Sequence, residues 1–305
     1  MDITFWGVRG AIPSPGPHTV KYGGNTSCVE LYFHDSRRQI IIDAGSGIRN
    51  LGNYMMSSDD QRKPIEADLF FTHTHSDHIL GFPFFAPLYV PGTKLRIYGP
   101  ATYYEGSLER VIGSQMSYHF FPVRLAELAA EIVYNELKEG CHDLGDGIKV
   151  TTRYLNHPLM CFGYRFEQQG RIFCTVYDTE PYRNLFERDS DRPSIDDPIV
   201  LEGENAAELE NNRLEKFFEG ADLLIYDAQY LQQEYESSRV GWGHSAIEYA
   251  VEAAQRAHVK RLALFHHDPE RTDAQIDTLA SAYCKRDREE EIEIFFAREG
   301  MRVEI

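Results

Sequence analysis

The stretch "FFTHTHSDHILGF", residues 70–82, ends a hydrophobic run with three histidines and an aspartate inside six positions. A strand that leaves the core at this point can turn those side chains in two directions. His73 and His75 can share one ion, while Asp77 and His78, one tight turn later, can face a second. Imidazole nitrogen and carboxylate oxygen without thiolate suit Zn²⁺ first, with Mn²⁺ or Fe²⁺ compatible, and spacing alone does not choose among them. The apolar flanks "LFF" and "ILGFPFF" predict a loop enclosed by core, not one standing in water.

Outward from this stretch, short β-type runs alternate with helical patterns from end to end. Strands are expected at 2–7, 27–33, 39–45, 67–73, 94–100, 148–157, 221–230 and 260–269, with a hairpin over 161–178 turning near Gln169 and Gly170. The pair 27–33 and 39–45 forms a second hairpin with Asp35 in its turn. Helices are expected at 103–114, 205–218, 244–258 and 272–285, the last two starting near Ser245 and Thr272. The acidic, proline-broken stretch 181–205 is expected to be an inserted loop, either a surface excursion or a lid. Asp43, His73, His157, Asp178, Asp227 and His266 all fall where a predicted strand ends. Strand ends facing one rim are where α/β folds assemble sites.

Bulk composition sets the frame for these motifs. The chain has 305 residues, 42% hydrophobic and 26% charged, an ordinary globular balance. We expect residues 1–305 to form a single domain. Nothing in the sequence approaches the roughly 18 apolar residues of a membrane span, and the N-terminus does not read as a signal peptide. Five scattered cysteines suit reduced, mostly buried thiols, so a cytoplasmic location is expected. The formal net charge of −17 disfavours a long nucleic acid as partner, since such affinity comes from Lys and Arg neutralising phosphates. It leaves room for a small anionic substrate, because bound divalent cations reverse the field inside a pocket.

The order Asp43, "HTHSDH", His157, Asp178 and His266 resembles the five successive motifs of the metallo-β-lactamase superfamily, over residues 2 to about 270. That resemblance implies an α/β fold, a four-layer αββα sandwich with a dinuclear metal site at one edge of the sheets. It also implies that His73, His75 and His157 hold one ion, that Asp77, His78 and His266 hold the other, and that Asp178 bridges them. Asp43 would then orient a ligand by hydrogen bond. "LALFHHDP" leaves a choice between His266 and His267. Strand alignment favours His266, which would turn His267 toward a substrate phosphate or away from the site.

Two ions serve the hydrolysis of several bond types, so other residues must narrow the reaction. Asp227, ending "ADLLIYD", and His244, in "GWGHSAIEYA", resemble the acid and histidine pair of the superfamily's phosphodiesterase branch, seen in tRNA 3′-processing endonucleases. The acid is Asp where Glu is usual. Such a pair would protonate a departing alkoxide, while Asp77 would position or deprotonate the attacking water. Those endonucleases carry a long basic arm between the third and fourth motifs, and residues 158–177 hold only a short hairpin.

The opening "FWGVRGAIPSPGPHTVKYGGNTSC", residues 5–28, resembles that of bacterial metal-dependent hydrolases close to cyclic-nucleotide phosphodiesterases. Its glycines and prolines could present Arg9, Lys21, Asn25 or Thr26 to an anion, or could form a lid packing Trp6 and Tyr22. The expectation is therefore a metal-dependent phosphodiesterase for a cyclic nucleotide or cyclic phosphate, for which a homodimer is admissible. The alternatives are an RNA 3′-end or short-oligonucleotide nuclease and a non-catalytic nucleotide-binding protein.

Overall fold

The structure is a computed structural model that describes residues 1–57, 64–101, 106–186, 198–284 and 292–305. Among these residues, fourteen strands form two seven-stranded sheets. The first sheet holds β1 (Asp2–Gly7), β2 (Cys28–Phe33), β3 (Arg38–Ile42), β4 (Glu66–Phe70), β5 (Lys94–Pro100) and β6 (Glu131–Leu137), in that spatial order. The second holds β7 (Gly140–Gly145), β8 (Ile148–Tyr154), β9 (Phe162–Gln168), β10 (Arg171–Val176), β11 (Leu223–Asp227), β12 (Arg261–Phe265) and β13 (Glu293–Phe296). The C-terminal β14 (Arg302–Glu304) returns to pair antiparallel with β1.

The packing follows from side-chain alternation along strands whose two faces are both covered. Leu223 and Ile225 of β11 face the inter-sheet core with Ile40, Ile42 and Phe70, while Leu224 and Tyr226 face helices on the other side. That outer layer is α4 (Pro198–Phe218), α6 (Ile247–Arg256) and α7 (Asp273–Tyr283). The first sheet is covered by α1 (Ile48–Met56) and α3 (Leu108–Ser114), which bury Ile41, Leu69 and Ile97. The result is the expected αββα sandwich.

Register decides where the chain's polar residues emerge. β3 and β4 run parallel, as do β10, β11 and β12, so their C-terminal ends point the same way within each sheet. Asp43, the His73 loop, Asp178 and His266 follow those ends directly. Asp43, Asp178 and His266 adopt φ of 61°, 39° and 59°. Left-handed backbone costs a non-glycine residue about 1 kcal/mol or more, and such strain concentrates where side chains must be aimed.

Several element boundaries differ from the sequence reading. The acidic stretch 181–205 is not all loop, because helix α4 starts at Pro198, where proline's fixed φ and missing N–H suit a first helical turn. Residues 187–197 of that stretch lie outside the described residues. Helix α3 begins at Leu108, capped by Ser107, not at 103, and residues 102–105 are likewise outside. Helix α6 starts at Ile247, leaving His244 and Ser245 in the turn before it. The cysteines are all unpaired, with Cys28, Cys161 and Cys174 buried, Cys284 half-buried and Cys141 exposed. No helix among the described residues is long and apolar enough to cross a membrane.

Candidate metal centre

The loop after β4 turns at once into a one-turn helix, α2 (Ser76–Ile79). This geometry puts His73 and His75 on one side and Asp77 and His78 on the other. His73 Nε2 and His157 Nε2 each lie 3.0 Å from His75 Nδ1. With Asp178 these three histidines form one group whose ligand-type atoms are all within 4.8 Å of each other. A second such group is Asp77, His78, Asp178 and His266, and Asp178 belongs to both. His78 Nε2 and His266 Nε2 stand 3.4 and 3.2 Å from Asp77 Oδ2, and 3.2 and 3.3 Å from the two Asp178 oxygens.

The donor atoms fit divalent ions. His78 Nε2 and Asp178 Oδ1 are buried with no hydrogen-bond partner, which is costly unless something else takes their lone pairs. Ligands at about 2.0–2.2 Å around a tetrahedral ion sit roughly 3.3 Å apart, close to the separations found here. Burial pushes the His73 and His157 pKa values down, the latter to about 4, so both offer neutral imidazole. Burial alone would raise the pKa of Asp77 and Asp178, but the facing histidines, His78 and His266 among them, hold both well below the usual carboxylate range.

Around the donors lies a set of groups that fix their direction. Asp43 Oδ2 accepts from His78 Nδ1 at 2.7 Å, and Thr72 donates to Asp43 from both backbone and hydroxyl, so Nε2 of His78 is aimed at the cluster. Four further contacts escaped the sequence reading. Gly243 O accepts from His157 Nδ1 at 3.0 Å, Gln229 Oε1 sits 3.3 Å from His266 Nδ1, and Ala11 N donates to Asp77 Oδ2 at 2.7 Å. Thr72 Oγ1 lies 3.1 Å from His73 Nδ1. Two glycines gave the only trace of this in the sequence. A Cβ on Gly243 would meet His157 at 2.3 Å and one on Gly10 would meet the His266 ring at 2.5 Å.

Beside the clusters, His244 Nδ1 is 2.8 Å from Asp227 Oδ2. Asp227 is fully buried and also accepts from Thr179 N and Gln229 N, each at 3.2 Å. The His244 ring stacks on His266 at 4.9 Å and meets His157 at 5.6 Å. Burial works against a charge on His244, yet the Asp227 carboxylate overrides it and raises the pKa to about 9.

The four anticipated substrate contacts are not presented to this cluster. Arg9 is fully buried and spends Nε on Gly23 O and Nη1 on Asp268 O and Arg271 O. Lys21 pairs with Asp277 at 2.5 Å, and Asn25 is held by Glu299 and Ser46. His267 points the opposite way from His266, with Nε2 2.8 Å from Ala297 O and its pKa pushed down to about 3 by burial. Thr26 is buried and accepts from Ser46 N. The 5–28 segment instead packs its aromatics: Trp6 bonds Glu30 and lies 5.3 Å from Tyr54, and Tyr22 bonds Asp277.

Comparison with known proteins places this architecture. No family model matches the sequence. Ribonuclease BN of Proteus mirabilis is 24% identical over 293 residues, spanning 87% of this chain and 88% of that protein. Ribonuclease Z of Thermococcus kodakarensis is 29% identical over 295 residues, spanning 87% and 83%. The metallo-β-lactamase fold protein YhfI from Bacillus subtilis superposes with a TM-score of 0.65 at 17% identity, covering 99% of this chain and 98% of its own. The chain has the metallo-β-lactamase fold. Human tRNase Z, short form, matches with a TM-score of 0.63 at 22% identity over 100% and 99% of the two chains. A diphosphatase of the PhnP family matches at 0.62 and 17%, over 100% and 97%. Besides the two ligand groups, Asp178, Asp227, His244 and His266 form a third set of close donor atoms among the described residues.

Proposed function

We propose that this chain is a metal-dependent phosphodiesterase whose preferred substrate is a small phosphodiester, a cyclic nucleotide or cyclic phosphate. The observation that carries this reading is the Asp227–His244 pair at 2.8 Å, stacked against His266 beside both ligand groups. A hydrolase of activated amides or thioesters has little need of it, whereas a departing alkoxide needs a proton. The names of the relatives, ribonuclease BN and ribonuclease Z, support phosphodiester chemistry.

In this reading His73, His75 and His157 would hold one divalent ion and Asp77, His78 and His266 the other, with Asp178 available to each group. Such ions would polarise a phosphoryl oxygen and lower the pKa of bound water. Asp77, fixed by Ala11 N, would orient the attacking water. His244, charged at neutral pH through Asp227, delivers its Nε2 proton to the leaving oxygen. Zn²⁺ suits the nitrogen-rich first group, with Mn²⁺ or Fe²⁺ compatible.

The small-substrate preference rests on two features. The segment between His157 and Asp178 is the tight β9–β10 hairpin, turning at Gln169 and Gly170, with no room for an RNA-gripping arm. The net charge of −17 repels a long polyanion. The ribonuclease relatives favour a second reading, cleavage at an RNA 3′ end. Assaying 3′,5′-cyclic AMP, glycerol 1,2-cyclic phosphate and a labelled tRNA precursor side by side, after metal analysis, separates the two. His244→Ala is expected to keep its metal and to lose about 10²–10⁴-fold in kcat on the cleaved diester. Unchanged turnover removes the acid role.

A further inference from the structure

The turn that carries His244 also carries an arginine and a tryptophan that the chemistry above leaves unused. We propose that Arg239 and Trp242 form a nucleobase clamp, with Trp242 stacking the base of the nucleoside whose oxygen departs and Arg239 holding an anionic phosphate oxygen. This rests on the phosphodiesterase reading and deepens it from any small phosphodiester to a nucleoside phosphodiester.

The turn is built to hold these side chains in place. Gly241 and Gly243 take φ of 85° and 82°, Trp242 N donates to Arg239 O at 3.1 Å, and Gly241 N donates to Glu180 Oε2 at 2.9 Å. Its last residue, Gly243, gives its carbonyl to His157, so the turn is tied to the ligand groups. Trp242 nevertheless leaves 55% of its surface exposed, although the Arg239 guanidinium lies over its ring. Trp242 is two residues from His244, within about 7 Å along the backbone.

Arg239 lies over two rings at once, 4.5 Å from Trp242 and 5.7 Å from Tyr230. Tyr230 in turn meets the His244 ring edge-on at 6.1 Å. The other cation–aromatic contacts among the described residues involve one ring each, and those of Lys21 and Arg256 belong to side chains already paired with carboxylates. Arg239 has no carboxylate within ion-pair distance among the described residues, in a chain where acidic groups far outnumber basic ones. A guanidinium flattened on aromatic faces keeps its N–H edge for an oxygen anion, and its orientation costs little further entropy on binding. An indole face accepts any base, so the clamp selects nucleosides without selecting among them.

The test uses the metal-loaded protein and the variants Trp242→Ala, Trp242→Phe and Arg239→Gln. Substrates are 3′,5′-cyclic AMP and the ring-free glycerol 1,2-cyclic phosphate. Trp242→Ala is expected to raise KM for cyclic AMP about tenfold or more while leaving the ring-free diester within about twofold, and Trp242→Phe to recover most of the loss. Arg239→Gln is expected to raise KM on both. Equal loss on both substrates in Trp242→Ala, or no change on either, overturns the clamp.

A second readout is independent of turnover. The chain has two tryptophans, so Trp6→Phe leaves Trp242 as the sole indole. Saturable quenching of its fluorescence by cyclic AMP supports the clamp, and absence of quenching overturns it. If the wild-type protein cleaves neither diester, the phosphodiesterase reading falls and the quenching alone decides the clamp. A short oligoribonucleotide that quenches at lower concentration than cyclic AMP supports the same clamp with its base supplied by RNA.

Discussion

Two glycine-bearing segments press on the metal centre from opposite sides, and they use their polar side chains in opposite ways. In the 5–28 segment, Gly10 lies against His266 while Arg9, Lys21 and Asn25 are consumed by the protein's own carbonyls and carboxylates. In the 239–244 turn, Gly243 lies against His157 while His244 is charged and aimed by Asp227 and Arg239 has no anionic partner among the described residues. As sequence, only the 5–28 segment reads as an anion-binding loop. What separates them is the kind of partner the surrounding fold supplies. Arg9 braces its loop by giving Nε and Nη1 to three carbonyls, with its buried Nη2 left over, whereas Arg239 gives Nη1 only to Ser238 Oγ at 3.4 Å and forms no ion pair among the described residues.

The largest effect that would break this contrast comes from Arg9→Met. Removing three hydrogen bonds to buried and half-buried carbonyls is expected to cost about 3 kcal/mol of stability, read as a lower Tm, with KM unchanged in the folded fraction. A raised KM at unchanged Tm would move Arg9 into the substrate site. Next comes Gly243→Ala, where a Cβ at positive φ collides with His157. We expect metal affinity to fall about 10–100-fold, with elemental analysis showing loss from the His73, His75 and His157 group. Full metal content at wild-type affinity would contradict the role given to the turn.

Asp227→Asn tests the electrostatics of the same turn. His244 has its pKa raised to about 9, so its proton is present below that pH and is lost as pH rises through it. The kcat profile is expected to fall on the alkaline side in the wild type. In the variant that limb should move to lower pH, with about tenfold lower kcat at neutral pH. An alkaline limb that does not move separates His244 from the acid role. The smallest effect is expected from Lys21→Ala. Its solvent-screened pair with Asp277 contributes little, and kcat and KM should stay within about twofold on any diester cleaved.

How much of this was legible depended on whether the signal was local. Interior strands announced themselves as apolar runs, and β5 falls on the residues the pattern gave, Lys94–Pro100. The missed strands β6, β7, β13 and β14 are the edges of the two sheets, and "EIVYNEL" of β6 and "GCHDLG" of β7 are mostly exposed or half-buried. Edge strands need little apolar surface and carry polar residues, so they lack the usual signature. Helix α1 was hidden by Gly52, a poor helix former kept where a Cβ would press on Phe85 at 2.9 Å. The start of α4 was masked by Pro198 and Gly203, the latter packed against Asn184.

The sequence by itself named candidate donors that the fold brings, in groups, within 4.8 Å of one another. Spacing within "HTHSDH" and the recurrence of histidine or aspartate after each apolar strand follow from chain geometry, because a strand that leaves the core delivers its next side chains to the rim. It could not determine which of two adjacent residues faces that rim, or which donors were already satisfied. His266 and His267 differ in fate because successive side chains at a strand end point to opposite sides, one toward Asp77 and Asp178 and the other toward Ala297 O. Arg9 finds its partners 259 and 262 positions away, and Gly243 meets His157 across 86. Those pairings exist only after the sheets have packed, so the satisfaction of each polar group was a property of the tertiary structure alone.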